Sequence, residues 1–210
     1  MLSSHRTPRY VLARLREIFF QQCNPGAPWL GPQAVRTLDQ LLGPEQSGLE
    51  CGAGRSTLWV ARRVYFLESW EENGDWFRRV ATRLSEKGIS NVALKKVSSL
   101  PEEYLRKVAQ IPPESLHFAL VDSESAREVL APALLSKIRP GGFLMLDNAN
   151  WFLPSDSCAP HSCNRAQGPL NRHWEVFLDA VAGWEVLWMS SGVTDTAFYI
   201  KPGASRIDLL

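Results

Sequence analysis

The spacing of hydrophobic positions changes along this chain, and the change divides it. Over residues 8–22, Val11, Leu12, Leu15, Ile18 and Phe19 recur at helical intervals with Arg9, Arg14 and Arg16 on the other side, which predicts an amphipathic helix. The proline- and glycine-rich link Cys-Asn-Pro-Gly-Ala-Pro-Trp-Leu-Gly-Pro (23–32) interrupts the pattern. It resumes over 33–42 and stops at Gly43 and Pro44. Residues 1–45 therefore read as a helical N-terminal extension.

From residue 46 the pattern alternates. Short strand-like runs near 48–51, 65–70, 92–97, 117–122 and 142–146 are separated, in most cases, by helical stretches, which predicts parallel strands joined by crossover helices. The tail is different: 184–190 and 196–201 are strand-like and separated only by Ser191-Gly192-Val193-Thr194-Asp195. That spacing suits a hairpin and places an antiparallel strand at the sheet edge. The segment 154–169, rich in Ser, Cys, Pro and Asn, is the one long loop, and loops of that length usually carry function or are disordered.

Composition narrows the classes. A chain of 210 residues that is 45% hydrophobic suits one α/β domain with a decorated terminus. Its 23 Lys and Arg against 22 Asp and Glu leave a formal charge of +1, so no whole-protein field attracts nucleic acid or an anionic membrane. The local exception is the first helix, where Arg6, Arg9, Arg14 and Arg16 could steer an acidic acceptor or RNA. No apolar run approaches the roughly 20 residues needed to cross a bilayer. Scattered Cys23, Cys51, Cys158 and Cys163 fit a reduced, cytoplasmic protein.

The sharpest chemical signal is Glu50-Cys51-Gly52-Ala53-Gly54-Arg55-Ser56-Thr57, in which a strand runs into a glycine loop and then a helix. A dinucleotide fingerprint would place a third glycine at 57, and a phosphate loop would end in Gly-Lys-Ser/Thr; neither condition is met. The run resembles motif I of the class I S-adenosylmethionine-dependent methyltransferases. Three further segments resemble that family in chain order. Glu71 lies 21 residues after Glu50, at the end of the second strand; the strand His-Phe-Ala-Leu-Val ends in Asp122; and Arg139-Pro140-Gly141-Gly142 leads into a strand ending in Asp147-Asn148. The resemblance covers about residues 46–202.

It implies a Rossmann-like three-layer α/β sandwich with a seven-stranded, mostly parallel sheet and one antiparallel edge strand. The helical extension would then lie as a cap over the acceptor pocket, with the 154–169 loop as the other wall. On this reading residues 46–210 form a methyltransferase domain binding S-adenosylmethionine. Glu50, Gly52, Ala53, Gly54, Ser56 and Thr57 would hold the methionine end, Glu71 the ribose, Ser98 (or Ser99) the adenine, and Asp122 the cofactor beside the acceptor. Asp122, Asp147 and Asn148 are the candidate catalytic residues.

Those three also resemble the Mg²⁺ ligands of catechol and caffeoyl-coenzyme A O-methyltransferases. The lysine that these enzymes carry shortly after the first acid is missing from Asp122-Ser123-Glu124-Ser125-Ala126-Arg127, so a metal is the less favoured reading. Cys158, His161, Cys163 and His173 do not have a standard zinc spacing. Six tryptophans, 59, 70, 76, 174, 184 and 188, read as core or edge anchors, whereas Trp29 and Trp151 lie where an acceptor would be walled. The expected partner is a small-molecule acceptor with an oxygen or nitrogen nucleophile. The alternatives are a non-catalytic cofactor-binding subunit and an enzyme acting on a macromolecule such as RNA; nucleic acid is disfavoured by the absence of an Asn/Asp-Pro-Pro-aromatic run after Asp122.

Overall fold

The computed structural model describes residues 7–203; Arg6 lies outside them. Two helices come first, α1 (Pro8–Cys23) and α2 (Pro32–Leu41). Then follow β1 (Ser47–Cys51), α3 (Arg55–Ala61), β2 (Phe66–Glu71), α4 (Gly74–Glu86), β3 (Val92–Lys96), α5 (Pro101–Gln110), β4 (Leu116–Val121), α6 (Arg127–Leu134), β5 (Ile138–Asp147), α7 (Arg172–Ala180), β6 (Glu185–Ser190) and β7 (Asp195–Ile200). The seven strands form one sheet in the order β3-β2-β1-β4-β5-β7-β6. β1 to β5 pair in parallel, and β7 runs antiparallel to both β5 and β6, so the hairpin predicted at the tail supplies the antiparallel end of the sheet.

The buried strands carry a strict two-residue alternation between two cores. On one face Leu49, Cys51, Ala119, Val121, Leu144 and Leu146 pack with Trp70, Tyr104, Trp174 and Phe177 under α5, α6 and α7. On the other, Leu67, Leu120 and Met145 join Phe118, Phe143 and Phe198, whose rings follow one another at 5.8 and 6.2 Å beneath α2 and α3. Gly48 makes this second core possible, since a Cβ there would lie 2.4 Å from the Phe118 ring.

The first helix departs from expectation. Proline at its start and the Thr7 hydroxyl accepting the Tyr10 N–H begin it as predicted, but its apolar stripe faces outward, with Val11, Leu12, Leu15, Ile18 and Phe19 between 42% and 69% exposed. The helix buries Ala13 and Glu17 instead. Polar bonds tie it down: Ser191 Oγ donates to Glu17 Oε1 at 2.7 Å, and Gln21 Nε2 donates to the Pro28 carbonyl at 2.9 Å. Small Ala13 lets the backbone approach the β6–β7 turn, where Gly192 would bring a Cβ to 3.0 Å of it. Among the described residues no helix is long and apolar enough to cross a membrane.

Strand β1 sits where the connections diverge, leading toward β2 on one side and β4 on the other. In open α/β sheets the crevice at the carboxyl ends of such strands is where ligands bind.

Candidate functional site

The glycine loop leaves β1 through Gly52, whose φ of +103° and position leave no alternative residue: a Cβ would lie 2.6 Å from the Asp122 carbonyl oxygen. The loop is clamped from β2. Glu71 Oε2 accepts the Ala53 N–H at 2.9 Å and Oε1 accepts the Asn73 N–H at 2.7 Å, fixing the positions of two loops with one carboxylate. A carboxylate offers about four acceptor sites, so two remain for the vicinal hydroxyls of a ribose. Burial raises the Glu71 pKa above the ordinary carboxylate value, while the two backbone N–H groups pull it back.

Glu50 lies behind the loop, almost wholly buried. Its Oε2 accepts the hydroxyls of Thr57 and Ser69, each at 2.6 Å, while Oε1 is buried without a hydrogen-bond partner. Thr57 Oγ1 in turn accepts the Gly54 N–H at 2.8 Å. Burial pushes Glu50 up to about 7, although the hydroxyls around it pull the other way. Glu50 and Ser56 both line the cleft, where an ionised acid would favour a cationic or N–H donor such as an amino group.

Between these acids lies a cleft of about 470 Å³ at the carboxyl ends of β1, β2 and β4. Its lining includes Glu50, Gly52, Ala53, Gly54, Ser56, Glu71 and Asp122, seven of the nine positions expected to hold cofactor. Thr57 is fully buried behind it and acts on Glu50. Ser98 is the exception. It lies off the cleft lining, because the chain after β3 turns at once into α5 and the Ser98 hydroxyl accepts the Leu100 N–H at 3.4 Å. Trp76, expected as a core or edge anchor, packs against the Ala53, Val80 and Leu84 cluster and also lines the cleft: its indole N–H donates to the Ala53 carbonyl, and its ring stacks on Trp29 at 5.7 Å. Its only sequence signal is its place in the first turn of α4, five residues after Glu71.

Trp29 and Leu30 line both this cleft and a second cavity of about 740 Å³. That cavity is bounded by α1, the turn after β5, the 154–169 loop and the β6–β7 turn. Trp29 is 63% exposed and Trp151 38%, and both line it. Of the long loop, only Pro160 and His161 reach it. Asn148 also lines it, in a left-handed conformation (φ 55°) at the end of β5, with Nδ2 donating to Thr194 Oγ1 at 2.7 Å. Of the side chains that α1 contributes, Arg14 was among the arginines the sequence singled out, whereas Glu17 and Gln21 had no motif to announce them.

Asp147 lies apart from both cavities. It is buried, accepts the Thr196 hydroxyl at 2.8 Å, and lines neither cavity. Burial, followed by the nearby Asp122 carboxylate, raises its pKa. Asp122 faces the cleft and is paired with the Arg127 guanidinium. Asp122, Asp147 and Asn148 are bonded to Arg127, Thr196 and Thr194 respectively. Among the described residues no three His, Cys, Asp or Glu side chains are grouped to hold a metal ion. Cys158 instead accepts from Arg9 at 3.2 Å, and Cys163 donates to the Trp151 carbonyl at 3.2 Å.

No family model and no curated protein matches the sequence. Solved structures do match the fold. A Corynebacterium glutamicum protein is similar at 16% identity and TM-score 0.59, over 93% of this chain and 92% of its own. A putative caffeoyl-CoA O-methyltransferase from Staphylococcus aureus is similar at 13% identity and TM-score 0.56, over 94% and 93%. An rRNA methylase from Streptococcus thermophilus is similar at 12% identity and TM-score 0.54, over 80% and 93%. The fold is therefore that of the class I S-adenosylmethionine-dependent methyltransferases.

Proposed function

We propose that the protein transfers a methyl group from S-adenosylmethionine to an oxygen or nitrogen of a small molecule. The observation that carries this reading is the meeting of the two cavities at Trp29 and Leu30, a cleft holding Glu50 and Glu71 at the sheet's switch point opening beside a second chamber. The cofactor supplies an electrophilic sulfonium methyl. Glu71 would hold the ribose, Glu50 and the glycine loop the amino-acid part, and Trp76 one wall.

Methyl transfer is an in-line displacement, so the chain's chief work is alignment. Residues 8–45, through α1 and the Trp29 strap, would cap the acceptor, while 46–210 would carry the cofactor. Asp122 is the carboxylate nearest the reacting end on this reading and would take the acceptor's proton where one is lost. The four cysteines are free thiols, which fits a cytoplasmic setting. Calorimetric titration with S-adenosylmethionine and S-adenosylhomocysteine tests the reading. Micromolar binding supports it; folded protein that binds neither compound overturns it.

A further inference from the structure

The apolar face of α1 lies open beside a row of arginines. Val11, Leu12, Leu15, Ile18 and Phe19 fall at i, i+1, i+4, i+7 and i+8 on one side of the helix, and all five are exposed. A contiguous apolar stripe of this kind marks a surface that meets something other than water. We propose that it meets a lipid bilayer carrying anionic headgroups, with α1 lying flat on the membrane surface.

Charge selects the occupant. Residues 1–16 include Arg6, Arg9, Arg14 and Arg16 and contain no Asp or Glu. The first acid is Glu17, which is buried and accepts from Arg14 at 3.0 Å and from the Ser191 hydroxyl at 2.7 Å, so its charge is turned inward and matched to Arg14. Arg9 and Arg16 lie one above the other, with Leu12 and Ala13 between them, along a hollow of about 280 Å³ that reaches Cys158 and the β6–β7 turn. Arg9 donates to Cys158 Sγ there at 3.2 Å, a weak acceptor that leaves its charge in place. Arg16 and Arg36 of α2 line the neighbouring hollow. Arg9, Arg16 and Arg36 are all exposed, and together they flank the stripe with positive charge. Helices that bind membrane interfaces combine these two features: apolar side chains enter the acyl boundary while arginines meet anionic headgroups.

Other occupants match only part of this surface. A twofold pairing of α1 with a second copy sets Arg9 and Arg16 against their own counterparts, and five side chains of one helix fall short of the roughly 20–30 residues a side that a stable interface engages. RNA would answer the arginines but leave the apolar stripe in water.

The placement has a consequence for the second cavity. Ile18 belongs to the stripe and also lines that cavity, as does its neighbour Gln22. The docked helix holds the cavity's rim at the bilayer surface, whatever the cavity binds.

Co-sedimentation of the full chain with extruded vesicles tests the docking, comparing phosphatidylcholine alone with equal parts of phosphatidylcholine and phosphatidylglycerol. Binding to the anionic vesicles should be at least about tenfold tighter and should weaken as salt rises. Leu12→Gln/Leu15→Gln/Phe19→Gln should reduce it about tenfold or more at an unchanged thermal midpoint, since the three side chains are exposed. Arg9→Gln/Arg16→Gln should remove most of the preference for anionic vesicles; this pair carries the test if the triple variant melts early, and an undiminished preference then overturns the inference. No binding to anionic vesicles also overturns it, as does binding that survives the triple variant intact. A wild-type dimer in analytical ultracentrifugation that the triple variant converts to monomer would assign the stripe to a second copy, and tighter binding to polyuridylate than to anionic vesicles would assign the arginines to RNA; either result overturns membrane docking.

Discussion

The two cavities are built from different materials. The cofactor cleft is made of strand ends and the backbone that leaves them: Gly52 against the Asp122 carbonyl, and the Ala53 and Asn73 N–H groups on Glu71. The second cavity is made of side chains from five separate segments, with α1 tied on by a few polar bonds and its apolar stripe turned outward. One is fixed by the sheet, the other by loops and a helix. The fold shared with proteins at 12–16% identity supplies the strand ends on which the first site is built, whereas the second depends on segments outside the sheet.

If that contrast holds, damage should be greatest at the cleft. Gly52→Ala must adopt φ near +103° and place a Cβ 2.6 Å from a backbone oxygen that cannot move away. The expected loss is about 3 kcal/mol or more of stability, read as a lower denaturation midpoint. A change under about 1 kcal/mol would show that the crossing of loop and strand β4 is loose. Next in size, Glu71→Ala should weaken S-adenosylhomocysteine binding about a hundredfold, since it removes a charged acceptor from two backbone donors and from the ribose. Calorimetry reads it, and a loss under about fivefold would remove Glu71 from the cofactor site.

At the junction the expected effects divide. Trp29→Ala removes stacking on Trp76 and the approach of the Arg55 guanidinium, 5.7 Å from the ring, yet Trp29 is largely exposed. Stability should fall by no more than about 1 kcal/mol. Turnover of any accepted substrate should fall about tenfold or more, because the residue borders both reactants. Equal loss of stability and turnover would instead make Trp29 an ordinary packing residue.

The same contrast explains what could be read in advance. The strands, the hairpin, the glycine loop, Glu50 and Glu71 leave local marks, because a period of two, a turn glycine or an acid at a strand end is written within a few residues. The inward placement of Asp147 leaves no such mark. Position at a strand end says where the backbone stops, but not that the Thr196 hydroxyl from the neighbouring strand would take its carboxyl inward. Trp76, Gln21 and Glu17 meet their partners only through tertiary structure. The outward stripe of α1 shows the limit of periodicity: it identified the helix, while Ala13 and the Ser191 contact decided which side faces the body.

The smallest effect is the most diagnostic of how the cleft works. Glu50 is raised to about 7 by burial, so in the free protein near neutral pH roughly half of the molecules carry a proton there. A folded-state pKa above the unfolded value stabilises the fold fully below about 4.5, and that contribution is lost as pH rises through about 7. Binding the cofactor's ammonium would favour the ionised acid, lowering its pKa and releasing about half a proton at pH 7. Calorimetry in two buffers of different ionisation enthalpy reads that release directly, and affinity should rise between about pH 6 and 8. Glu50→Gln should abolish both effects while leaving the Glu71 clamp intact. If release persists unchanged in the variant, the linked proton belongs to another group and Glu50 is a structural acid held by Thr57 and Ser69. If it disappears, Glu50 joins Glu71 as a ligand of the bound cofactor, and its burial is what tunes it to the charge it must meet.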